Sequence, residues 1–252
     1  MKKFNALKVK NEIVKFIRKY FKENKLGGVV IGISGGKDSG VVAGLFTEAL
    51  GPDKIIGITL PCHSKKQDKN DALLVSEYFG FKMENIDLTR TFDSFKKEID
   101  IMGNYNEEQL KNSDINLKPR LRMASLYYVA ALYSALKGKT YIVAGTGNKC
   151  EEFVGYFTKG GDSVSDIKVI SDLTVDEVIA VGEVLKVPKE VLYKAPNDGL
   201  SNQTDEDKLG VKYKDIATYI EDKDKLDKKV QKKIEDLHKK SSHKFNIPTF
   251  RR

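Results

Sequence analysis

The sequence predicts an α/β fold, a parallel sheet with helices on both faces, and three observations carry that expectation. Short runs of β-branched residues alternate with longer stretches of helical periodicity, the order that joins parallel strands through crossover helices. The strand-like runs are bounded by glycines and are too short for helices. The 252-residue chain is 40% hydrophobic and 32% charged, with 20 Gly and 6 Pro. That globular balance excludes wholesale disorder and low-complexity scaffolds.

Each element follows from its local pattern. In residues 5–24, Ile13, Phe16, Ile17, Tyr20 and Phe21 recur at helical spacing between lysines, and Gly27 and Gly28 end the run. VVIGI at 29–33 reads as a first buried strand, and 41–50 as the helix after it. KIIGITL at 54–60 predicts a second strand, 68–79 a helix, and 83–88 a third strand. Residues 91–102 and 106–137 are helical in pattern, and TYIVA at 140–144 is a fourth strand. Residues 145–166 are rich in Gly, Thr and Asp and too polar for a core element. A helix resumes over 175–185. Residues 197–210 have little to bury and predict a mobile loop. The last helix, 225–240, shows a narrow stripe of Leu226, Val230, Ile234 and Leu237, and Pro248 sits in an irregular tail. No internal repeat is present. Sheets of this kind bind ligands at the carboxyl ends of their strands.

Composition narrows the function classes. The apolar runs fall far short of the ~20 residues that cross a bilayer, so no membrane partner is expected. The N-terminus starts like a signal peptide but places Lys8, Lys10, Asn11 and Glu12 where an apolar core belongs, which reads as mature protein. Cys62 and Cys150 make no disulfide framework and no CxxC, consistent with a reducing cytoplasm. His63, His238 and His243 are too scattered for a zinc site, so any metal should be a hard cation held by carboxylates and phosphates. The net charge is +8, of which +5 falls in residues 221–252. Such a tail suits nucleic acid, a solvated helix face or a clamp for a polyanionic small molecule, and composition does not choose among them.

The most informative stretch is Ser34-Gly35-Gly36-Lys37-Asp38-Ser39, between the first strand and its helix. Glycines there let backbone N–H groups turn inward, and a helix N-terminus adds its positive dipole end. With Gly32 and Ile33 leading into it, the loop is an anion pocket in which Ser34 and Ser39 are extra donors. The bland alternative is a glycine turn with a capping serine. Asp38 fits an anion pocket only when a cation such as Mg²⁺ joins it to the phosphates. A GxxxxGK[ST] loop fails because Ile31 stands where its first glycine belongs and Asp38 where Ser or Thr belongs, and GxGxxG has no match.

This loop resembles the SGGxDS signature of the adenine-nucleotide pyrophosphatases, which hold the pyrophosphate released when ATP adenylates a substrate. The second half narrows the resemblance. GTGNKCE at 145–151, GYFTKGGD at 155–162, LPCHS at 60–64 with Asp68, Asp71 and Ala72, NLKPRLRM at 116–123, QTDED at 203–207 and SHK at 242–244 follow the block order of the NAD synthetases. These blocks span roughly residues 28–250, nearly the whole chain.

The resemblance implies a single Rossmann-like domain over 1–252 that amidates deamido-NAD to NAD with ATP and ammonia. The reaction passes through an acyl-adenylate and releases AMP and pyrophosphate. Carried over by position, Gly32, Ile33, Ser34, Gly35, Gly36, Lys37, Asp38, Ser39, Thr146 and Asn197 bind ATP, and Asp38 and Glu151 hold Mg²⁺. Arg120, Lys159, Asp166, His243 and Lys244 bind deamido-NAD, the last two from the tail. Asp162 is the base that receives a proton from ammonium; its bland reading is a turn residue beside glycine. Two positions depart from the family pattern. Val175 stands where a phosphate-contacting Lys is usual, leaving either Lys149 or Lys168 to compensate or a weaker ATP contact, and Asn197 replaces a hydroxyl residue. The first strand begins near residue 29, with no room expected before it for a glutaminase domain, so the expected nitrogen source is free ammonia or ammonia supplied by a separate partner.

The segment 120–137 is apolar on nearly every side, which predicts burial in the core or at a subunit interface. The resemblance implies a homodimer. An RNA-modifying enzyme on the same fold would suit the basic tail, but thiolating members usually rely on cysteine pairs that Cys62 and Cys150 do not form. The tail's lysines flank an apolar stripe in the manner of a solvated face, so no nucleic-acid partner is expected. A nucleotide-sensing module would need neither the two carboxylates nor a second dinucleotide clamp.

Overall fold

The computed structural model describes residues 4–64, 66–99, 103, 105–194, 204–246 and 248–250. Among them, strands β1 (Gly28–Gly32), β2 (Ile55–Thr59), β3 (Lys82–Asn85), β4 (Tyr141–Gly145) and β5 (Ile167–Lys168) form one sheet in the order β3-β2-β1-β4-β5. Every pairing is parallel, with Val30 opposite both Ile56 and Val143. The chain moves outward from β1 to one side and then returns to its other side with β4. The strand order therefore reverses between β1 and β4, and the loops leaving these two strands open a crevice at their carboxyl ends.

The two faces of β1 feed two cores. Val29 and Ile31 pack with helices α1 (Ala6–Glu23), α2 (Lys37–Leu50), α7 (Val175–Leu185) and α8 (Lys189–Leu192). Val30 packs on the opposite face, with Ile56, Ile58 and Val143, against α4 (Thr89–Ile99) and α5 (Glu107–Lys137). Helix α3 (Lys66–Phe79) lies on the α2 side through Ala72 and Val75. A third cluster, centred on Cys150, Tyr213, Ile216 and Ile234, joins α6 (Lys149–Val154) and α9 (Asp205–Leu209) to α10 (Tyr213–Asp222) and α11 (Lys228–Phe245).

The expected elements are present, and the differences have local causes. Helix α2 starts at Lys37 rather than 41, because Gly36 is extended and serves as N-cap. This places Lys37, Asp38 and Ser39 in its first turn. Within 145–166, judged too polar for a core element, α6 forms because Asn148 and Glu151 close a capping box. The two-residue β5 and the helix α10 escape the periodicity reading, the first through its brevity. Helix α11 begins after the N-cap Asp227 and runs to Phe245, so His243 and Lys244 are helical rather than in a tail. The expected loop at 197–210 is corrected at its end, where Asp205–Leu209 is a helix capped by Thr204; residues 197–203 lie outside the described residues. In α5, Val129 and Ala130 are buried, but Tyr128, Leu132 and Leu136 are 67%, 51% and 75% exposed on the single chain. Among the described residues, no helix is long and apolar enough to cross a membrane.

Candidate active site

The glycine loop is shaped by its own residues. Ser39 is buried; its Oγ donates to the Gly36 carbonyl at 3.0 Å and accepts from the Ser34 backbone N–H at 3.2 Å. That hydroxyl is committed to the loop's fold, whereas Ser34 is exposed. Gly35 has φ +77, and a Cβ there would lie 2.4 Å from the Asp68 carbonyl. Only glycine meets both conditions. Gly36 supplies no side-chain cap, so the first N–H groups of α2 face the crevice beside Ser34.

The β4 loop meets this loop through one side chain. Asn148, fully buried, accepts from the backbone N–H groups of Cys150 and Glu151 at 3.0 and 3.1 Å and donates to Asp38 Oδ1 at 3.2 Å. Glu151 reaches back to accept from the Asn148 N–H at 3.0 Å. One capping box thereby brings two carboxylates to one place. Burial pushes the Glu151 carboxyl well above the carboxylate range, and the nearby Asp38 charge adds to the rise. Lys37 Nζ bonds Asp38 Oδ2 at 2.9 Å. Burial opposes the Lys37 charge, but Asp38, aided by Glu151 and Asp205, outweighs it and holds the ammonium above its usual range. Asp205, from the start of α9, accepts from the Tyr156 hydroxyl at 3.0 Å. Among the described residues, Asp38, Glu151 and Asp205 all act on the Lys37 ammonium, and a further cation beside Asp38 and Glu151 would favour the ionised form of Glu151. No set of three His, Cys, Asp or Glu among the described residues gathers closely enough to hold a metal ion. Asp38 and Glu151 therefore suit a cation that takes most of its shell from phosphate and water, which is the habit of Mg²⁺.

A second pole forms around the turn after α6. Arg120 Nε and Nη2 both donate to the Lys159 carbonyl at 3.3 Å, and Lys159 Nζ donates to the His243 carbonyl at 2.9 Å. Lys244 Nζ donates to the carbonyls of Gly155 and Phe157 at 2.7 and 2.6 Å. Asp162 Oδ1 accepts from the Thr158 N–H at 2.8 Å. Its side chain keeps solvent contact, yet the protein packed around it raises its carboxyl against the opposing Thr158 bond. Burial lowers the Lys244 ammonium, opposed by the Asp162 charge. Five of the expected residues (Arg120, Lys159, Asp162, His243 and Lys244) are thus tied to one turn. Asp166 stands apart at the sheet edge, where it accepts from the Val143 N–H at 2.7 Å and the Tyr127 hydroxyl at 3.1 Å. Thr146 is half-buried directly after β4, and Asn197 lies outside the described residues.

Comparison with known proteins decides the family. The NAD synthase family model matches residues 9–248. The NH(3)-dependent NAD(+) synthetase of Methanocaldococcus jannaschii is 39% identical over 254 residues, covering 94% of each chain. The chain belongs to the NAD synthase family. Among solved structures, an NMN synthetase from Francisella tularensis has a TM-score of 0.88 and 31% identity, covering 99% of each chain. The NH3-dependent NAD synthetase from Campylobacter jejuni, in complex with nitrate, has a TM-score of 0.78 and 27% identity over 99% of this chain and 100% of that one.

Within this NAD synthase chain, both lysines considered as substitutes at the Val175 position are engaged. Lys149 pairs with the exposed Asp172 at 2.9 Å, and Lys168 with Glu152 at 2.5 Å. Sequence reasoning missed Asn148 and Lys194 as site residues and named Asp205 only as part of a motif. The Asn148-x-x-Glu151 spacing is a readable capping signal. Lys194, which bridges Asp68 at 2.8 Å and Asp71 at 2.5 Å behind Gly35, depends on contacts more than 120 residues apart that no local pattern announces.

Proposed function

We propose that this chain catalyses the last step of NAD formation, amidating deamido-NAD with ammonia at the expense of ATP. The observation that carries this reading is the meeting of Asp38 and Glu151, from the loops after β1 and β4, beside the N–H groups of the glycine loop. A carboxylate is a poor acyl donor, so the nicotinate carboxylate first attacks the α-phosphorus of ATP, releasing pyrophosphate; ammonia then displaces AMP. The backbone of Gly35 and Gly36, the Ser34 hydroxyl and the start of α2 receive the phosphates, with Gly32 and Ile33 leading the chain into the loop and the Ile33 N–H held by the Ile58 carbonyl at 2.9 Å. Ser39 shapes that loop, and Thr146 and Asn197 add contacts to ATP. Lys37 balances Asp38 within the site. Asp38 and Glu151 would hold Mg²⁺, which when bound neutralises phosphate charge and polarises the phosphoryl oxygens.

Arg120, Lys159, His243 and Lys244 surround the turn that receives deamido-NAD, and Asp166 joins from the sheet edge with lone pairs to spare. Asp162 accepts the proton that ammonium loses before attack. Its raised carboxyl is better matched to that task than an ordinary aspartate. The exposed Tyr128, Leu132 and Leu136 on α5 support a homodimer that covers them. The free, buried Cys62 and Cys150 suit a cytoplasmic setting, with neither membrane nor nucleic acid as partner.

The test incubates purified protein with ATP, Mg²⁺, deamido-NAD and either ammonium or glutamine, following AMP and NAD. The expected result is NAD from ammonium and none from glutamine; AMP without NAD, or neither product, overturns the reading. The likeness to the Francisella NMN synthetase supports a second acceptor, the mononucleotide of nicotinate. A parallel assay with that acceptor ranks the two by kcat/KM.

A further inference from the structure

One buried group beside the carboxylates has no work in the scheme above. Tyr213 opens α10 and is only 4% exposed. Its position is fixed at both ends of the residue: its backbone N–H donates to Glu206 Oε1 at 2.8 Å, and its carbonyl accepts from Cys150 Sγ at 3.7 Å. Its ring packs in the third core with Ile216 and Ile234, with Lys37 Nζ 5.9 Å from the ring centroid. A phenylalanine would fill that space equally well. Yet the hydroxyl is buried and has no hydrogen-bond partner among the described residues, an arrangement native proteins seldom keep without a reason.

The surroundings supply the reason. The hydroxyl lies in the field of the Glu151, Asp205 and Asp38 carboxylates and beside Tyr156. Those carboxylates turn to other partners, Asp38 to Lys37 and Asn148, Glu151 to the Asn148 N–H and Asp205 to Tyr156, and no oxygen of the described residues lies within hydrogen-bond reach of the phenol. What the site lacks is an oxygen placed to pair with the phenol. A divalent cation held by Asp38 and Glu151 would bring such oxygens, because most of its shell would be water and phosphate. We infer that Tyr213 is a binding residue whose hydroxyl hydrogen-bonds an oxygen in the shell of the divalent cation carried in with ATP. This inference rests on the assignment of Asp38 and Glu151 as cation ligands. Because Tyr213 starts α10, it would make the third core part of the cation site's support.

The experiment uses Tyr213→Phe and Mn²⁺ as the paramagnetic probe. Free Mn²⁺ is measured by electron paramagnetic resonance during titration of the protein in the presence of ATP, and ATP binding is measured separately in EDTA. The expected result is Mn²⁺ affinity weakened about tenfold, the scale of a lost outer-shell partner, with ATP affinity in EDTA unchanged. Thermal melting of the metal-free variant should be no lower than that of the wild type, since an unpaired buried hydroxyl has been removed. Equal Mn²⁺ affinity in the two proteins overturns the inference, as does an equal loss of ATP affinity in EDTA. A wild-type chain that binds no Mn²⁺ removes the cation site and Tyr213's part together, whereas normal wild-type binding with an unaffected variant removes only the latter. In wild-type protein labelled at tyrosine Cζ, the resonance missing from Tyr213→Phe should shift on adding Mg²⁺ and ATP and stay in place with ATP alone.

Discussion

The two poles of the site are held together by different means. The loop between β1 and α2 is shaped by backbone: a glycine at positive φ, an uncapped helix start and a buried serine that bonds its own turn. The pole around 155–162 is a lattice of long cationic side chains on carbonyls, drawn from positions 39, 84 and 89 residues apart. The first is built from short-range backbone geometry that needs no ligand to define it, which suits a phosphate cradle. The second spends its cations on carbonyls that a bound dinucleotide can replace, so its side chains can be handed from protein to ligand at modest cost. Substitutions at the first pole should therefore strike the chemical step, and those at the second should strike substrate affinity.

The largest effect is expected at Asp38. Side chains of Lys37 and Asp38 are 7% and 19% exposed, so Asp38→Ala would leave a buried ammonium unpaired and confuse chemistry with stability. Asp38→Asn keeps an acceptor for Lys37 and removes the charge. Pyrophosphate release should fall on the order of 10²–10³-fold, with KM for deamido-NAD little changed. A rise in that KM with normal kcat would place Asp38 at the wrong pole.

Next comes Asp162, which belongs by position to the second pole and by proposed role to the chemistry. Asp162→Asn retains the acceptor for the Thr158 N–H but takes up no proton. Capture of the acyl-adenylate by ammonia should fall on the order of 10²-fold, with adenylate formation preserved in rapid-quench measurements. Equal losses in both half-reactions would remove Asp162 as the ammonium base.

The contrast between the poles also explains how much the sequence discloses. The sheet and the glycine loop are legible because their causes are local: β-branched runs, glycine spacing and a helix start lie within a few residues of one another. Arg120, Lys159 and His243 meet through packing of α5, the 155–162 turn and α11, and no periodicity in any one of them encodes the meeting. Their grouping was readable only through resemblance to a family. Asn148 lies between these cases. Its capping pattern is local, but its bond to Asp38, 110 residues away, is not. The helix at 205–209 was hidden because its charged residues satisfy a loop's composition, while Thr204 and Asp207 close a capping box that composition cannot register.

A smaller effect is expected at Lys159. It is exposed, and its ammonium bonds only the His243 carbonyl among the contacts described above, so Lys159→Ala should leave stability within about 0.5 kcal/mol of wild type. Loss of one charge-assisted contact to the dinucleotide should raise KM for deamido-NAD about tenfold, with kcat nearly unchanged and KM for ATP unaffected. Steady-state kinetics with each substrate varied in turn separates these outcomes. A matching rise in the KM for ATP would show that the two poles are not independent.

The smallest effect tests the electrostatic setting of the second pole through stability alone. The folded state raises the Asp162 carboxyl above its ordinary value, chiefly through the protein packed around it. Between the ordinary carboxylate range and that raised value, the folded protein binds a proton that the unfolded chain has already released. Wild-type stability therefore falls as pH rises through this window. Asp162→Asn does not titrate and escapes the loss. Its melting temperature relative to wild type should climb as pH rises from the acid side and then level off, the gain being about 1–2 °C because the carboxylate touches solvent and is screened. Lys244 sets the limit on this gain, since its nearby ammonium favours the charged carboxylate. Melting curves across the acid-to-neutral range, run in the absence of nucleotides, provide the measurement. A variant uniformly less stable than wild type at every pH would mean that the Asp162 charge supports the turn rather than straining it. The distinction between a strained chemical group and a merely structural one would then fail at this residue.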